Sequence, residues 1–111
     1  MTKRLLFGLM AVGLVWSLSP GAQAAGNPVA GKEKAFPCMG CHGIPTYDNA
    51  YPTYPVPKLG GQHAQYIVKA LEEYKDGARS FKTMHAQASS LSKQDMEDLA
   101  AYFSTYPSGG K

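Results

Sequence analysis

Beyond its first 24 residues the chain has no convincing alternation of apolar and polar residues, so nothing in it predicts a β-sheet. It also lacks a basic patch interleaved with aromatics, which removes the case for nucleic-acid binding. Its apolar run, Leu5 to Leu18, falls short of the ~20 residues a membrane-spanning helix needs. That run holds the one tryptophan, Trp16. Lys3 and Arg4 precede it and Ala22-Gln23-Ala24 follows, the pattern of a secretory signal peptide cut before Ala25. The reading is a leader over 1–24 and one exported domain over 25–111, placed in the periplasm; an uncleaved anchor is the alternative that the short run disfavours. Charge is nearly balanced: without Lys3 and Arg4 the eleven Lys and Arg become nine, against eight Asp and Glu, a net of +1. A domain of this size has a limited core and commonly needs a covalent or metal staple.

Only two cysteines are present, and both fall in Cys38-Met39-Gly40-Cys41-His42. In an oxidising compartment an isolated pair ordinarily closes into a disulfide loop. A thioredoxin-like redox pair is a second reading, but it would bring a strand-helix-strand framework. Neither uses His42. Cys-x-x-Cys-His is the attachment signature of a c-type haem. Two thiols on one tight turn add to vinyl groups on neighbouring pyrroles, and the next side chain is then aimed at the iron. On this reading Cys38 and Cys41 hold the haem covalently, His42 is its proximal ligand, and the haem is the staple.

The rest of the chain reads as three main helices joined by loops. Asn27-Pro28 is an N-cap followed by a proline suited to the first helical position, so a helix is expected from about Pro28 to Phe36, ended by Pro37. Gly31 inside it is costly unless another helix crosses there. Gly43 to Pro57, with Pro45, Pro52, Pro55 and Pro57 around Tyr47, Tyr51 and Tyr54, is expected to be a stiff loop. Its tyrosines either wall a porphyrin and reach a propionate or simply pack on one another. Ile67, Ala70, Leu71 and Tyr74 recur at helical spacing, predicting a helix over His63–Asp76 stopped by Gly77. Ala78 to Ser90 shows no sustained periodicity and is expected to be irregular. Ser92 and Asp95 form an acidic capping box for the last helix, whose stripe is Met96, Leu99, Ala100 and Phe103.

A haem iron needs a sixth ligand or a deliberate vacancy. Met39 lies inside the attachment turn, Met96 is claimed by the core stripe, and His63 sits at a helix start where exposure is common. Met84 has no apolar stripe to claim it and stands far enough along the chain to reach the opposite face, so it is the preferred ligand, with His85 and then His63 behind it.

The haem motif, Pro57-Lys58-Leu59-Gly60-Gly61-Gln62, Gly77-Ala78-Arg79, Met84, and Leu91-Ser92 through Leu99-Ala100-Ala101-Tyr102-Phe103 together resemble class I c-type cytochromes. The resemblance is to the small bacterial mono-haem cytochrome c-five-five-three and single-domain cytochrome c-four group, although cytochrome c-four proper carries two haem domains. It implies an all-α class I cytochrome c fold, three main helices and loops wrapped around one covalently bound haem c. The first and last helices would cross at Gly31 against Tyr102 or Phe103. Pro57 would offer its carbonyl to the His42 Nδ1 hydrogen, Leu59 would pack on the porphyrin, and Met84 would be the distal ligand. The function implied is one-electron transfer between respiratory-chain partners, such as a quinol-cytochrome c reductase, a dehydrogenase or a terminal oxidase, by a monomer that is not an enzyme. Lys58 and Lys82 would either steer acidic partners or only solubilise the surface. Two other readings stay open: a haem subunit of a dehydrogenase or oxidase complex, and a sensor or peroxidase with an open distal site.

Overall fold

The computed structural model describes residues 26–107. The expected leader, its cleavage before Ala25, and the closing Gly109-Gly110 lie outside the described residues. Five helices and one small hairpin follow in order: α1 (Pro28–Lys34), α2 (Phe36–His42), β1 (Asp48–Ala50), β2 (Thr53–Pro55), α3 (Ala64–Asp76), α4 (Lys82–Ser89) and α5 (Lys93–Thr105). The architecture is mostly helical. α1 packs on α5, while α3 packs on both α4 and α5.

The helix ends are set by local chemistry. Asn27 caps α1, its side-chain oxygen accepting from the Val29 and Ala30 amides at 2.9 and 3.3 Å. Gly77 closes α3 at φ 86°, a left-handed conformation that suits glycine. Ser92 caps α5 reciprocally: its hydroxyl accepts from the Asp95 amide at 3.1 Å and its own amide donates to the Asp95 carboxylate at 2.8 Å. The expected stripe of α5 is buried throughout, Met96, Leu99, Ala100 and Phe103 all at 2% exposure or less. With Ala35 and Ile67, three of these residues (Leu99, Ala100 and Phe103) form the central cluster.

α1 crosses α5 at Gly31. A β-carbon there would collide with the Asp98 carbonyl and lie 2.8 Å from Tyr102 Cβ, so only glycine lets the two backbones come this close. Asp98, 3% exposed, ties the crossing from beneath. It accepts from the Asn27 amide at 2.7 Å, the Lys34 ammonium at 2.6 Å and the Gln94 amide nitrogen at 2.9 Å. Lys34 also reaches Asp95 at 2.8 Å. Each partner satisfies a charge that burial would otherwise penalise.

Three expectations are corrected. Pro37 does not end the first helix: α1 stops at Lys34, the chain pivots at Ala35, and Pro37 sits in the first turn of α2, where its missing amide hydrogen costs nothing. The attachment motif is therefore helical. The proline-rich loop contains an antiparallel hairpin, Asp48 opposite Pro55 and Ala50 opposite Thr53, around a cis Tyr51–Pro52 bond. It is closed by local bonds rather than by alternation, with Asn49 Nδ2 donating to the Pro52 carbonyl at 2.7 Å and the Thr53 hydroxyl to the Ala50 carbonyl at 2.9 Å. Finally, the segment expected to be irregular holds α4, so Met84 stands on a helix.

Two predictions follow the crossing. Helix propensity alone would make Gly31→Ala stabilising by about 1 kcal/mol. The collision with α5 should reverse that sign and cost about 1–3 kcal/mol of unfolding free energy, read by denaturant titration. The second concerns acid. Donation from Lys34, then from the Asn27 amide and Gln94, holds the Asp98 carboxyl below the usual carboxylate range, and Lys34 and Ser92 do the same for Asp95. A lowered folded value gives stability that is present above the unfolded value of about 3.9 and is lost as pH falls through the folded one. Asp98→Asn should therefore lower the melting midpoint at neutral pH and flatten its fall below about pH 4.

Candidate haem-attachment site

α2 carries Cys38 and Cys41 one helical turn apart, hence on one side of the helix, with His42 as its last residue. Both thiols are free and half-buried. Burial, and then the neighbouring Cys41, pushes the Cys38 thiol up from its ordinary range. The pivot at Ala35 aims this short helix: Ala35 is fully buried in the central cluster, and the Cys38 and Met39 amides both donate to its carbonyl, at 2.8 and 3.0 Å.

His42 Nδ1 lies 2.7 Å from the Pro57 carbonyl oxygen. A carbonyl can only accept, so Nδ1 carries the hydrogen, and in the neutral ring Nε2 is left as the lone-pair nitrogen. That is the tautomer a metal ligand needs, with its ring orientation fixed by an outer partner. The chain reaches Pro57 through the hairpin, whose last strand ends at Pro55; the Val56 amide donates back to the Tyr47 carbonyl at 2.9 Å, closing the loop between His42 and Pro57. A shallow cleft beside this bond is lined by Ile44, Val56, Leu59 and Tyr106 along with His42 and Pro57.

Leu59 is half-buried and packs on the central cluster, as do Cys38, Met39, Ala64, Val68 and Leu71. The two glycines after it are needed for contact with the end of α5. A β-carbon on Gly60 would come within 2.9 Å of the Pro107 carbonyl oxygen, while Gly61, at φ 78°, donates its amide to the Phe103 carbonyl at 3.0 Å.

The donor set fits a covalently held haem: paired thiols on one helical turn, an imidazole whose outer nitrogen is already engaged, and half-buried apolar side chains from α2, the Leu59 segment and α3 beside the attachment helix.

The remaining candidates are placed as follows. Met84 is half-buried on α4 and His85 beside it is exposed; His63 is the exposed N-cap residue of α3. Met39 is in α2, and Met96 is buried at 2% exposure. Lys58 and Lys82 are both exposed. Of the loop tyrosines, Tyr51 is 96% exposed, whereas Tyr54 meets Phe81 edge-on at 4.8 Å between ring centroids. The Asp98 network was missed, because a carboxylate on a charged helix reads as surface; the one signal for it was the Asn27 N-cap, whose own amide needs an acceptor.

Comparison with known proteins agrees with this geometry. The Cytochrome c family model matches residues 28–106. Cytochrome c4 of Pseudomonas aeruginosa is 39% identical over 105 residues, covering 95% of this chain and 49% of that protein. Cytochrome c-554(548) of Halomonas halodenitrificans is 38% identical over 84 residues, 73% of this chain and 98% of that one. A thiosulfate dehydrogenase electron acceptor of Thiomonas intermedia is 31% identical over 108 residues, 97% of this chain and 46% of that one. The crystal structure of reduced recombinant cytochrome c4 from Pseudomonas stutzeri superposes with a TM-score of 0.56 at 32% identity, covering 74% of this chain and 50% of that chain. The chain thus spans about half the length of the cytochrome c4 relatives it matches. With the attachment helix, the oriented imidazole and the glycine-mediated helix crossing in place, the chain belongs to the cytochrome c family, whose cofactor is covalently attached haem c.

Proposed function

We propose that the chain is a periplasmic one-electron carrier whose haem iron is held between His42 and Met84. The observation that carries this reading is the bond from His42 Nδ1 to the Pro57 carbonyl, which presets the imidazole as a ligand before any partner arrives. Haem c would supply a metal that changes oxidation state without making or breaking bonds to substrate. The protein's part is to keep that site rigid. Cys38 and Cys41 would anchor the ring to α2, Leu59 would pack against its face, and Met84 would come from a separate helix on the far side. A thioether ligand raises the reduction potential relative to a second imidazole.

Domain 25–111 is read as the working unit and 1–24 as its cleaved leader. No helix among the described residues is long and apolar enough to cross a membrane. Electrons would pass to and from other redox proteins: a quinol-cytochrome c reductase, a dehydrogenase or a terminal oxidase. Two relatives are named thiosulfate dehydrogenase electron acceptors, which makes such a dehydrogenase a donor to test first. A second reading, a haem module working within a larger assembly, is favoured by the half-length match to cytochrome c4. The near-complete match to cytochrome c-554(548), a chain of similar span, supports the stand-alone carrier.

Two measurements test the reading. Ferric protein should show the weak long-wavelength absorption of a thioether-ligated iron. Met84→Ala should abolish that band, lower the reduction potential and allow the ferrous form to bind carbon monoxide; a retained band removes Met84 from the site. Neutralising the two exposed lysines together, Lys58→Gln with Lys82→Gln, should lower the low-salt association rate with an acidic partner by roughly 2- to 10-fold and reduce its salt dependence. An unchanged salt dependence would leave those lysines with a solubilising role only.

A further inference from the structure

α4 has little apolar anchorage of its own. Of its residues only Ala88 is buried, yet it bears Met84. Its register must come from elsewhere, and the structure provides two ties. At its start, the N-cap residue Phe81 meets Tyr54 of β2 edge-on at 4.8 Å. In its first turns, His85 Nδ1 stands 2.7 Å from the Tyr74 carbonyl oxygen. Tyr74 belongs to the last turn of α3, where backbone carbonyls run out of intrahelical donors and an outside donor is worth most. The neighbouring Glu73 carbonyl is served in the same way by the Arg79 amide at 2.9 Å, and the Arg79 side chain returns to the Glu73 carboxylate at 2.6 Å. The chain from α3 to α4 is thus fastened across its turn, and His85 is the one fastening made by a side chain of α4 itself.

We propose that His85 is a positioning residue: its hydrogen bond to the Tyr74 carbonyl caps α3, locks α4 against it and thereby holds Met84 on the haem iron. His85 is one residue from Met84, so rotation or sliding of α4 that frees the methionine must also break this bond. The imidazole acts as a donor on a rigid stem, with no part as a ligand. The inference rests on the His42/Met84 reading above.

The test uses the haem-loaded exported protein and carbon monoxide as probe. Carbon monoxide binds ferrous iron only when Met84 lets go, so its association rate reads the population of the released state. His85→Leu, which keeps bulk and removes the donor, should raise that rate roughly 2- to 10-fold, the worth of one net hydrogen bond. His85→Asn, whose Nδ2 stands where Nδ1 stood, should stay within about twofold of the parent. Should the leucine variant fail to fold, His85→Gln, with its donor displaced to the Nε2 position, takes its place with the same expected increase. Asn27→Ala, which removes the distant α1 cap, should lower the melting midpoint and leave carbon monoxide binding unchanged, separating positioning from general stability. Parent and leucine variant binding alike, both with the thioether band, would overturn the positioning role and leave Met84 as ligand. A parent without the thioether band would overturn both.

Discussion

The attachment side of this domain hangs from the close passage of α1 over α5 at Gly31. α2 follows α1 after a single pivot residue, so the angle at which Cys38, Cys41 and His42 leave the core is set by how α1 sits on α5. A side chain at position 31 would push the helices apart and move the attachment motif with them. The Asp98 network adds direction to that proximity. One buried carboxylate collects an amide from the start of α1, an ammonium from its end and a side-chain amide from α5 itself, so α1 can neither slide along nor rotate on its partner without leaving a charge unpaired.

The sequence disclosed those parts of the molecule whose chemistry is local or periodic. α3 came from its apolar stripe within a residue of its observed ends, the start of α5 came from its Ser92 capping box, and the Gly77 stop came from a single residue with one strong conformational use. Gly31 was legible as an anomaly, a glycine where a helix does not want one. α4 was not, because a helix with one buried alanine generates no period to detect; its cohesion comes from bonds to Tyr74 and an edge contact with Tyr54. The hairpin escaped for a related reason, being held by the Asn49 and Thr53 side chains in a stretch whose prolines argue against a strand. Asp98 was invisible because the two partners that tie it to α1, the Asn27 amide and Lys34, lie more than 60 residues away in sequence.

At the site, the motif proposes which atoms would bind, and the structure shows the imidazole already engaged through Nδ1. The Nδ1 bond to Pro57 depends on residues 43–56 turning back on themselves, which the hairpin accomplishes. The same hairpin sends Tyr54 to Phe81 at the opening of α4. One small element therefore touches both supports, the carbonyl that orients His42 and the entry to the helix that carries Met84. This gives the proline-rich stretch a structural purpose that its composition alone left divided between walling the porphyrin and packing on itself.

On the proposed His42/Met84 ligation, an electron carrier is served by two supports that keep their places relative to each other. The support for His42 descends from α1 and that for Met84 from α3, and both α1 and α3 pack on α5. The two arms share one base. Both arms rest on the same helix, whose face of Met96, Leu99, Ala100 and Phe103 supplies four of the seven buried apolar residues among the described ones. The arms themselves are fixed differently. α1 is held by a glycine contact and by a charge network around the buried Asp98, whereas α4 is held by one buried alanine, an exposed hydrogen bond and an edge contact. The arm with the lighter anchorage is the one bearing Met84. On the proposed ligation, a ligand exchange at the iron would therefore fall on the α4 side.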